Sequence, residues 1–226
     1  MDGAGKAALV LLSGGMDSAV CLALARRAGF APWTLSFDYG QRHHRELEAA
    51  VAVAAACGVP PERRRVVPLQ GLFSGSALTG DAEVPLDRDP SAMADGVPST
   101  YVPARNLVFL ALAAAIAEPR GVRDLFIGVN ALDYSGYPDC RPAFIAAFEE
   151  AARLGMRDGL RVHSPLAQLD KAGIVRLGRE AGAPLHLTVS CYRGTVPACG
   201  RCDACLLRRK GFAEAGLPDP IPYAGG

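Results

Sequence analysis

Two hundred and twenty-six residues suit one domain, or a domain with a small appendage, and a folded chain of this size buries about 70% of the surface its extended form exposes. At 50% hydrophobic and 21% charged residues the chain is globular rather than disordered, and Lys+Arg 24 against Asp+Glu 23 leaves a net charge of +1, which excludes a broad electrostatic pull toward nucleic acid or anionic membrane. The longest apolar run, Leu107 to Ala117, is too short to span a bilayer.

In chain order, apolar runs alternate with helical patterns. Ala7 to Leu12 reads as a short buried strand, and Asp17 to Ala28 as a helix. Thr34 to Phe37 is a second strand and His43 to Cys57 a second helix, stopped by Gly58 and two prolines. Arg65 to Leu69 is a third strand. From Gly71 to Thr100 the pattern dissolves into Gly, Ser, Pro and Asp, and so long a loop in a compact domain is a lid, a binding loop or a disordered segment. Ala104 to Glu118 is a helix so dense in Ala and Leu that burial on most sides is expected. Leu125 to Val129 is a strand, Pro142 to Leu154 a helix, Leu160 to His163 a strand, Lys171 to Ala181 a helix, and Ala204 to Ala215 a last short helix. This alternation predicts an α/β fold: a parallel sheet with helices on both faces. In such sheets ligands bind at the carboxyl ends of the strands, so the turns there are where chemistry is expected.

No secretory pattern surrounds the first apolar run, so a cytoplasmic chain with reduced thiols is expected. Of its cysteines, Cys21, Cys57 and Cys140 are scattered, while Cys191, Cys199, Cys202 and Cys205 crowd together. The crowded spacing supplies four thiolates, enough for a closed tetrahedral Zn²⁺ site, and Gly194 and Gly200 let the backbone bend around it. Two alternatives stay open here: an iron–sulfur cluster, although its usual run places the fourth cysteine after the other three, and a redox C-x-x-C pair.

Ser13-Gly14-Gly15-Met16-Asp17-Ser18 joins the first strand to the first helix. Two glycines allow a tight turn and a close backbone approach, the helix N-terminus adds partial positive charge, and Ser13 and Ser18 bring hydroxyls. Together they make a cradle for phosphates, in which Asp17 either favours the helix N-terminus or holds Mg²⁺. The plainer alternative is a turn whose serine and aspartate only cap.

The loop resembles the pyrophosphate loop (PP-loop) of ATP pyrophosphatases, which adenylate a substrate and release pyrophosphate. The likeness continues in order through Phe37-Asp38-Tyr39-Gly40-Gln41-Arg42-His43, Tyr101 to Asn106, Gly128 to Arg141 and the cysteine cluster. This set of motifs is similar to the 7-cyano-7-deazaguanine synthase family of queuosine biosynthesis. One departure is Val189, where a tryptophan is expected. The resemblance implies a PP-loop domain over 1–188 and a four-cysteine zinc segment over 189–226, with ATP and Mg²⁺ at the loop. It implies a ligase acting on 7-carboxy-7-deazaguanine and ammonia, and a homodimer without nucleic-acid or membrane partners.

Carried onto residues, the resemblance gives ATP binding to Ser13, Gly14, Gly15, Met16, Asp17, Ser18, Phe37 and Gln41. Lys171 stands where other ATP pyrophosphatases carry a phosphate-binding lysine; otherwise it is a surface lysine. Arg105 and Asn106, near a helix N-terminus, would meet phosphate or the substrate carboxylate, unless Arg105 only pairs with a loop acid. The run Asn130 to Arg141 is the densest in functional groups. Asp133 is expected to accept from the donor edge of the deazaguanine, with Asp139 a second candidate, and Tyr134 or Tyr137 to stack on its face. Asn130 and Arg141 complete this substrate set, and a solvated turn is the alternative. Asp17, Ser18, Lys171 and Arg105 are the expected catalytic set. Cys140 reads as a buried structural cysteine, because no base partner is legible.

Other readings remain: a different amidating ligase with the same loop, a tRNA-thiolating relative needing a catalytic cysteine, or a zinc-binding interaction module. The last would grip RNA or protein through Arg193, Arg201, Arg208, Arg209 and Lys210, which otherwise form a solvated helix face.

Overall fold

A computed structural model describes residues 5–42, 44–89, 93, 96–130 and 137–225. His43, Asp133 and Tyr134 lie outside the described residues, as do the neighbours of the last two from 131 to 136.

Five strands, β1 (Ala7–Leu11), β2 (Ala31–Asp38), β3 (Arg64–Pro68), β4 (Asp124–Phe126) and β5 (Arg161–His163), form one sheet in the order β3-β2-β1-β4-β5. Every pairing is parallel, with Leu9 opposite Trp33 on one side and Leu125 on the other. The helices are α1 (Met16–Arg27), α2 (Arg45–Ala56), α3 (Arg105–Ala117), α4 (Pro142–Gly155), α5 (Lys171–Glu180) and α6 (Asp203–Glu214). The expected α/β architecture is the observed one.

Strand alternation divides the core. Leu9 and Leu11 of β1 face Phe109, Leu110 and Ala113 of α3. Ala8 and Val10 face the opposite layer, with Val20 and Leu22 of α1, Val53 of α2 and Ile174 of α5. A strand buried on both faces reads as a continuous apolar run, which is why Ala7 to Leu12 carries no polar residue. The chain leaves central β1 toward β2 and β3 on one side, and later returns to β4 and β5 on the other. That reversal opens a crevice at the carboxyl ends of β1 and β4.

Helix α3 is covered on most sides, as expected: Leu107, Ala111 and Ala115 form its one exposed stripe, while Phe109, Leu110, Ala113 and Ala117 face inward. The segment 71–100, without regular structure over most of its length, is nonetheless tied down where it is described. Ala77 N–H donates to Ser99 O at 2.8 Å, and Arg42 N–H to Leu78 O at 3.2 Å. Further along, Asp87 N–H donates to Arg201 O at 2.8 Å, and Leu86 bridges Cys202. One arm of the loop is therefore stitched to the cysteine segment.

Candidate active site

The turn after β1 closes on itself before any ligand arrives. Ser13 N–H donates to Ser18 Oγ at 3.2 Å, Gly15 N–H to Ser13 Oγ at 3.2 Å, and Ser18 Oγ to Gly15 O at 3.0 Å. Gly14 is required twice over. Its φ is +89°, and a Cβ there would sit 2.1 Å from the Glu46 carbonyl oxygen of α2, so no side chain fits. Its own carbonyl accepts from Val189 N–H at 3.0 Å. The position of the departure noted in the sequence therefore presses on the phosphate loop through its backbone. A different side chain leaves that bond available.

A cavity of about 300 Å³ opens over this turn. Ser13, Gly15, Met16, Asp17 and Ser18 form its floor; Phe37 and Gln41 come from the end of β2, and Arg105 and Asn106 from the start of α3. Asn130, Tyr137 and Lys171 complete the expected residues that line it. Gln41 is held by accepting from Tyr39 N–H at 2.9 Å, and Phe37 stacks on Phe109 with centroids 3.9 Å apart. Fold topology thus gathers the end of β2, the start of α3, Asn130, Tyr137 and the start of α5 around one loop.

Lys171 and Asp17, 154 positions apart, meet with Nζ 2.7 Å from Oδ2. Asp17 lies in the first turn of α1, where a carboxylate favours the helix dipole. Helix α6 fixes the lysine's backbone from behind: a Cβ on Gly211 would fall 2.7 Å from Lys171 Cβ, so only glycine permits the approach. The Arg105 guanidinium remains charged; burial opposes this, but Tyr39, Tyr137 and Cys140 favour it. It donates from Nη1 to Tyr39 Oη at 3.2 Å, while Nε is buried without a partner. Such an orphaned donor beside a cavity suits an anionic ligand. No loop carboxylate pairs with Arg105 among the described residues.

Two residues of the expected substrate set lie elsewhere. Asp139 is buried below the cavity, where its Oδ2 accepts from Asn106 N–H at 2.9 Å, and so completes the N-terminus of α3. Arg141 is exposed at the start of α4 and does not line the cavity. Tyr137 is anchored by Thr100, with hydroxyls 2.9 Å apart, and its ring lies 5.6 Å from Tyr101.

Cys140 does reach the cavity wall, but burial pushes its thiol up to about 12, with Asp139 adding to the shift. Asn106 Nδ2 lies 3.3 Å from its sulfur. A thiol that stays protonated is a poor nucleophile, as the structural reading of Cys140 requires. Glu46, which sequence reasoning passed over, lines the same cavity from the first turn of α2. Burial raises its carboxyl to about 7, although Arg105 works in the opposite direction. The available signal was a carboxylate at the start of a helix just beyond Tyr39-Gly40-Gln41.

Behind the cavity, Cys191, Cys199, Cys202 and Cys205 are buried with their sulfurs within 4.8 Å of one another. A tetrahedron with bonds of about 2.3 Å has edges of roughly 3.8 Å, so the four sulfurs need only a small contraction. Cys199 N–H donates to Cys191 Sγ at 3.4 Å, and Cys202 N–H to Cys199 Sγ at 3.4 Å. Such bonds stabilise thiolates, and the set can hold a metal ion such as zinc.

Arg208 corrects the reading of a basic surface. It is 1% exposed, and all five of its N–H groups have acceptors inside the protein. Nε and Nη2 reach Asp219, Nη1 reaches Thr188 and Ser190, and Nη2 also reaches Leu185 O. Its neighbours are also engaged: Arg201 pairs with Asp87, and Arg209 lies 5.3 Å from the Tyr223 ring.

The family model described as queuosine biosynthesis protein QueC matches residues 7–216. A 7-cyano-7-deazaguanine synthase of Solidesulfovibrio magneticus is 56% identical over 224 residues, covering 96% of this chain and 95% of its own. The synthase of that name from Anaeromyxobacter sp. is 56% identical over 227 residues, covering 96% of each chain. A solved 4-thiouridine synthetase–RNA complex with bound ATP shares the fold at a TM-score of 0.51 and 21% identity, over 96% of this chain and 47% of that one. The turn Ser13 to Ser18, the run 128–141 and the cysteine cluster all fall within the matched span, and the chain belongs to the QueC family of queuosine biosynthesis proteins.

Proposed function

We propose that this chain is an ATP-dependent carbon–nitrogen ligase that converts 7-carboxy-7-deazaguanine and ammonia into 7-cyano-7-deazaguanine, releasing AMP and pyrophosphate in each of two activations. The observation that carries the reading is a likeness of 56% along almost the whole chain to synthases of that product. The cavity supplies matching parts: a phosphate-sized turn, the cations Lys171 and Arg105, and a wall of aromatic and amide groups.

A carboxylate is a poor electrophile, and adenylation gives it AMP as a leaving group. Ammonia then forms the amide, and a second adenylation on the amide oxygen lets that oxygen depart with AMP, leaving the nitrile. One site serves both rounds because the heterocycle need not move. The backbone N–H groups of Gly14 to Ser18, with Ser13 Oγ and Ser18 Oγ, hold the phosphates, while Lys171 and Arg105 offset the charge that develops as pyrophosphate leaves. Phe37 and Gln41 border the adenosine. Asp17 would hold Mg²⁺, which neutralises phosphate charge. Asn130 and Tyr137 face the heterocycle, and Asp133 is proposed to accept from its donor edge with Tyr134 beside it. The four cysteines would hold Zn²⁺ in a structural role, bracing α6 against Lys171. We further take the enzyme to be cytoplasmic and a homodimer acting on small molecules alone. A monomer in analytical ultracentrifugation would refute the dimer.

Mass spectrometry of a reaction containing ATP, Mg²⁺, ammonium and 7-carboxy-7-deazaguanine tests the reading. Nitrile and AMP are expected, and both should vanish in Asp17→Ala. Absence of both from the zinc-loaded wild type would sink the substrate assignment.

A further inference from the structure

The ligase mechanism leaves one requirement unassigned. Adenylation needs no base, but each following step must shed protons. Ammonium must become ammonia before its lone pair can attack, and the O-adenylated imidate must lose its last N–H proton to become a nitrile. Among the described residues lining the cavity, the side-chain carboxylates are those of Asp17 and Glu46. Asp17 pairs with Lys171 at 2.7 Å and is the carboxylate assigned to Mg²⁺ in the ligase reading. Glu46 makes no side-chain hydrogen bond or ion pair with the described residues, and its backbone is pinned by the contact of its carbonyl with Gly14.

Resting on the ligase reading above, we propose that Glu46 is the general base of this enzyme, taking the proton from the incoming ammonium and later from the imidate nitrogen. In the first step an ammonium N–H pair becomes the attacking pair as its proton passes to Glu46, the C–N bond forms, the C–O bond to AMP breaks with its electrons on AMP, and the surplus proton on the new amide nitrogen leaves to solvent. In the second, O-adenylation leaves a protonated imidate that gives one N–H proton to solvent; its remaining N–H proton passes to Glu46, that pair becomes the third C–N bond, and the C–O bond to the second AMP breaks with its electrons on AMP. Glu46 returns its proton to solvent between rounds.

The surroundings suit that task. The charged and titratable groups facing Glu46 are Arg105 from α3 and Tyr39 from the end of β2, with Asp17, Lys171, Tyr137 and Cys140 around the same cavity. Burial brings its carboxyl to about 7, close to where a base working near neutral pH is most effective. Arg105 keeps it from rising further. The same guanidinium can meet the phosphoryl oxygens of the adenylate, which would place the base beside the reacting carbon.

The experiment separates the half-reactions. Wild type, Glu46→Gln and Glu46→Asp are given ATP with either the 7-carboxy or the 7-amido heterocycle, and zinc content and melting temperature are checked for each. From the amide, where no ammonia is needed, the wild-type nitrile rate should rise through about pH 7. In Glu46→Gln that rise should disappear and the rate fall by about 10²–10⁴-fold. Carboxylate-dependent ATP–pyrophosphate exchange should remain, and Glu46→Asp should recover part of the nitrile rate together with its pH dependence. Loss of exchange in proportion to nitrile formation would overturn the proposal and make Glu46 part of the ATP site. An unchanged rate and pH profile in Glu46→Gln would also overturn it. A wild type that makes no nitrile from the amide would instead remove the ligase reading beneath it.

Discussion

The two ends of the sheet use charge in opposite ways. At the amino end, Asp124 opens β4 with its carboxylate almost fully buried, and it is answered locally: Lys6 Nζ lies 2.6 Å from one oxygen and His163 Nε2 2.7 Å from the other. At the carboxyl end, Arg105 keeps a buried donor without an acceptor, and Glu46 is raised toward neutrality. Asp17 and Lys171 pair with each other at 2.7 Å, in a bond that a phosphate could replace. Charges satisfied within the fold stabilise it, whereas charges left facing a cavity cost stability and are available to a ligand. Substitutions at the two ends should therefore separate, one moving stability and the other activity.

The largest expected effect breaks the wall behind the carboxyl end. Cys205→Ser removes a ligand from the four-thiol site. Metal binding at structural sites of this kind contributes on the order of 10 kcal/mol, comparable with the whole stability of a domain at about 5–15 kcal/mol. The variant should fail to retain the metal that plasma emission spectroscopy finds on the wild type, and should lose cooperative melting. A metal-free variant that still melts like the wild type would make the metal dispensable. Next comes Lys171→Ala, which should reduce AMP release by about 10²–10³-fold, the usual cost of removing one charge-stabilising group. Its melting temperature should stay near the wild-type value. A large fall in melting temperature would mean that the Asp17–Lys171 pair is structural and that the two ends are alike.

How legible each end was follows from how it is built. The phosphate loop is a contiguous turn after the first strand, and the four cysteines lie close together, so spacing alone exposed both. Asp139 and Asn106 are 33 positions apart, and no local pattern says that one completes the other's helix. Glu46 was hidden because its role depends on α3 delivering Arg105 to the same cavity. Arg208 was misread as part of a basic run with Arg209 and Lys210, although a clue was present: Cys205, Arg208 and Phe212 fall on one helical face, and all three are buried.

Arg208 sharpens the comparison because it lines the cavity yet behaves like the amino end. With every donor already bonded to Asp219, Thr188, Ser190 or Leu185, it has none to offer a phosphate. Arg208→Ala should cost about 3–5 kcal/mol, the usual penalty for leaving one partner of a buried pair alone. In a chain of this size that is a melting-temperature drop of roughly 10 °C or more. Below the new transition the KM for ATP should be close to the wild-type value. The Asp219→Ala, Arg208→Ala double variant should lose less than the sum of the singles. A raised KM with intact stability would transfer Arg208 to the ligand-binding group.

The smallest effect tests the amino end itself. Burial works against ionisation of Asp124, but the Lys6 ammonium beside Oδ2 and the hydrogen bond between His163 and Oδ1 outweigh it and hold the carboxyl below the usual carboxylate range. A folded value below the unfolded one, about 3.9, gives stability that is complete above the unfolded pKa and disappears as pH falls through the folded pKa. Asp124→Asn should thus cost about 1–2 kcal/mol at pH 6, a charged hydrogen bond discounted for the exposure of Lys6. Urea titrations at pH 6 and pH 3 should show the gap between variant and wild type narrowing at the lower pH, with nitrile formation at pH 7 unaffected. A gap of equal size at both pH values would mean that Asp124 acts through packing rather than charge. A loss of activity without a loss of stability would mean that the two ends of the sheet are coupled, and the separation of roles drawn from their charges would fall.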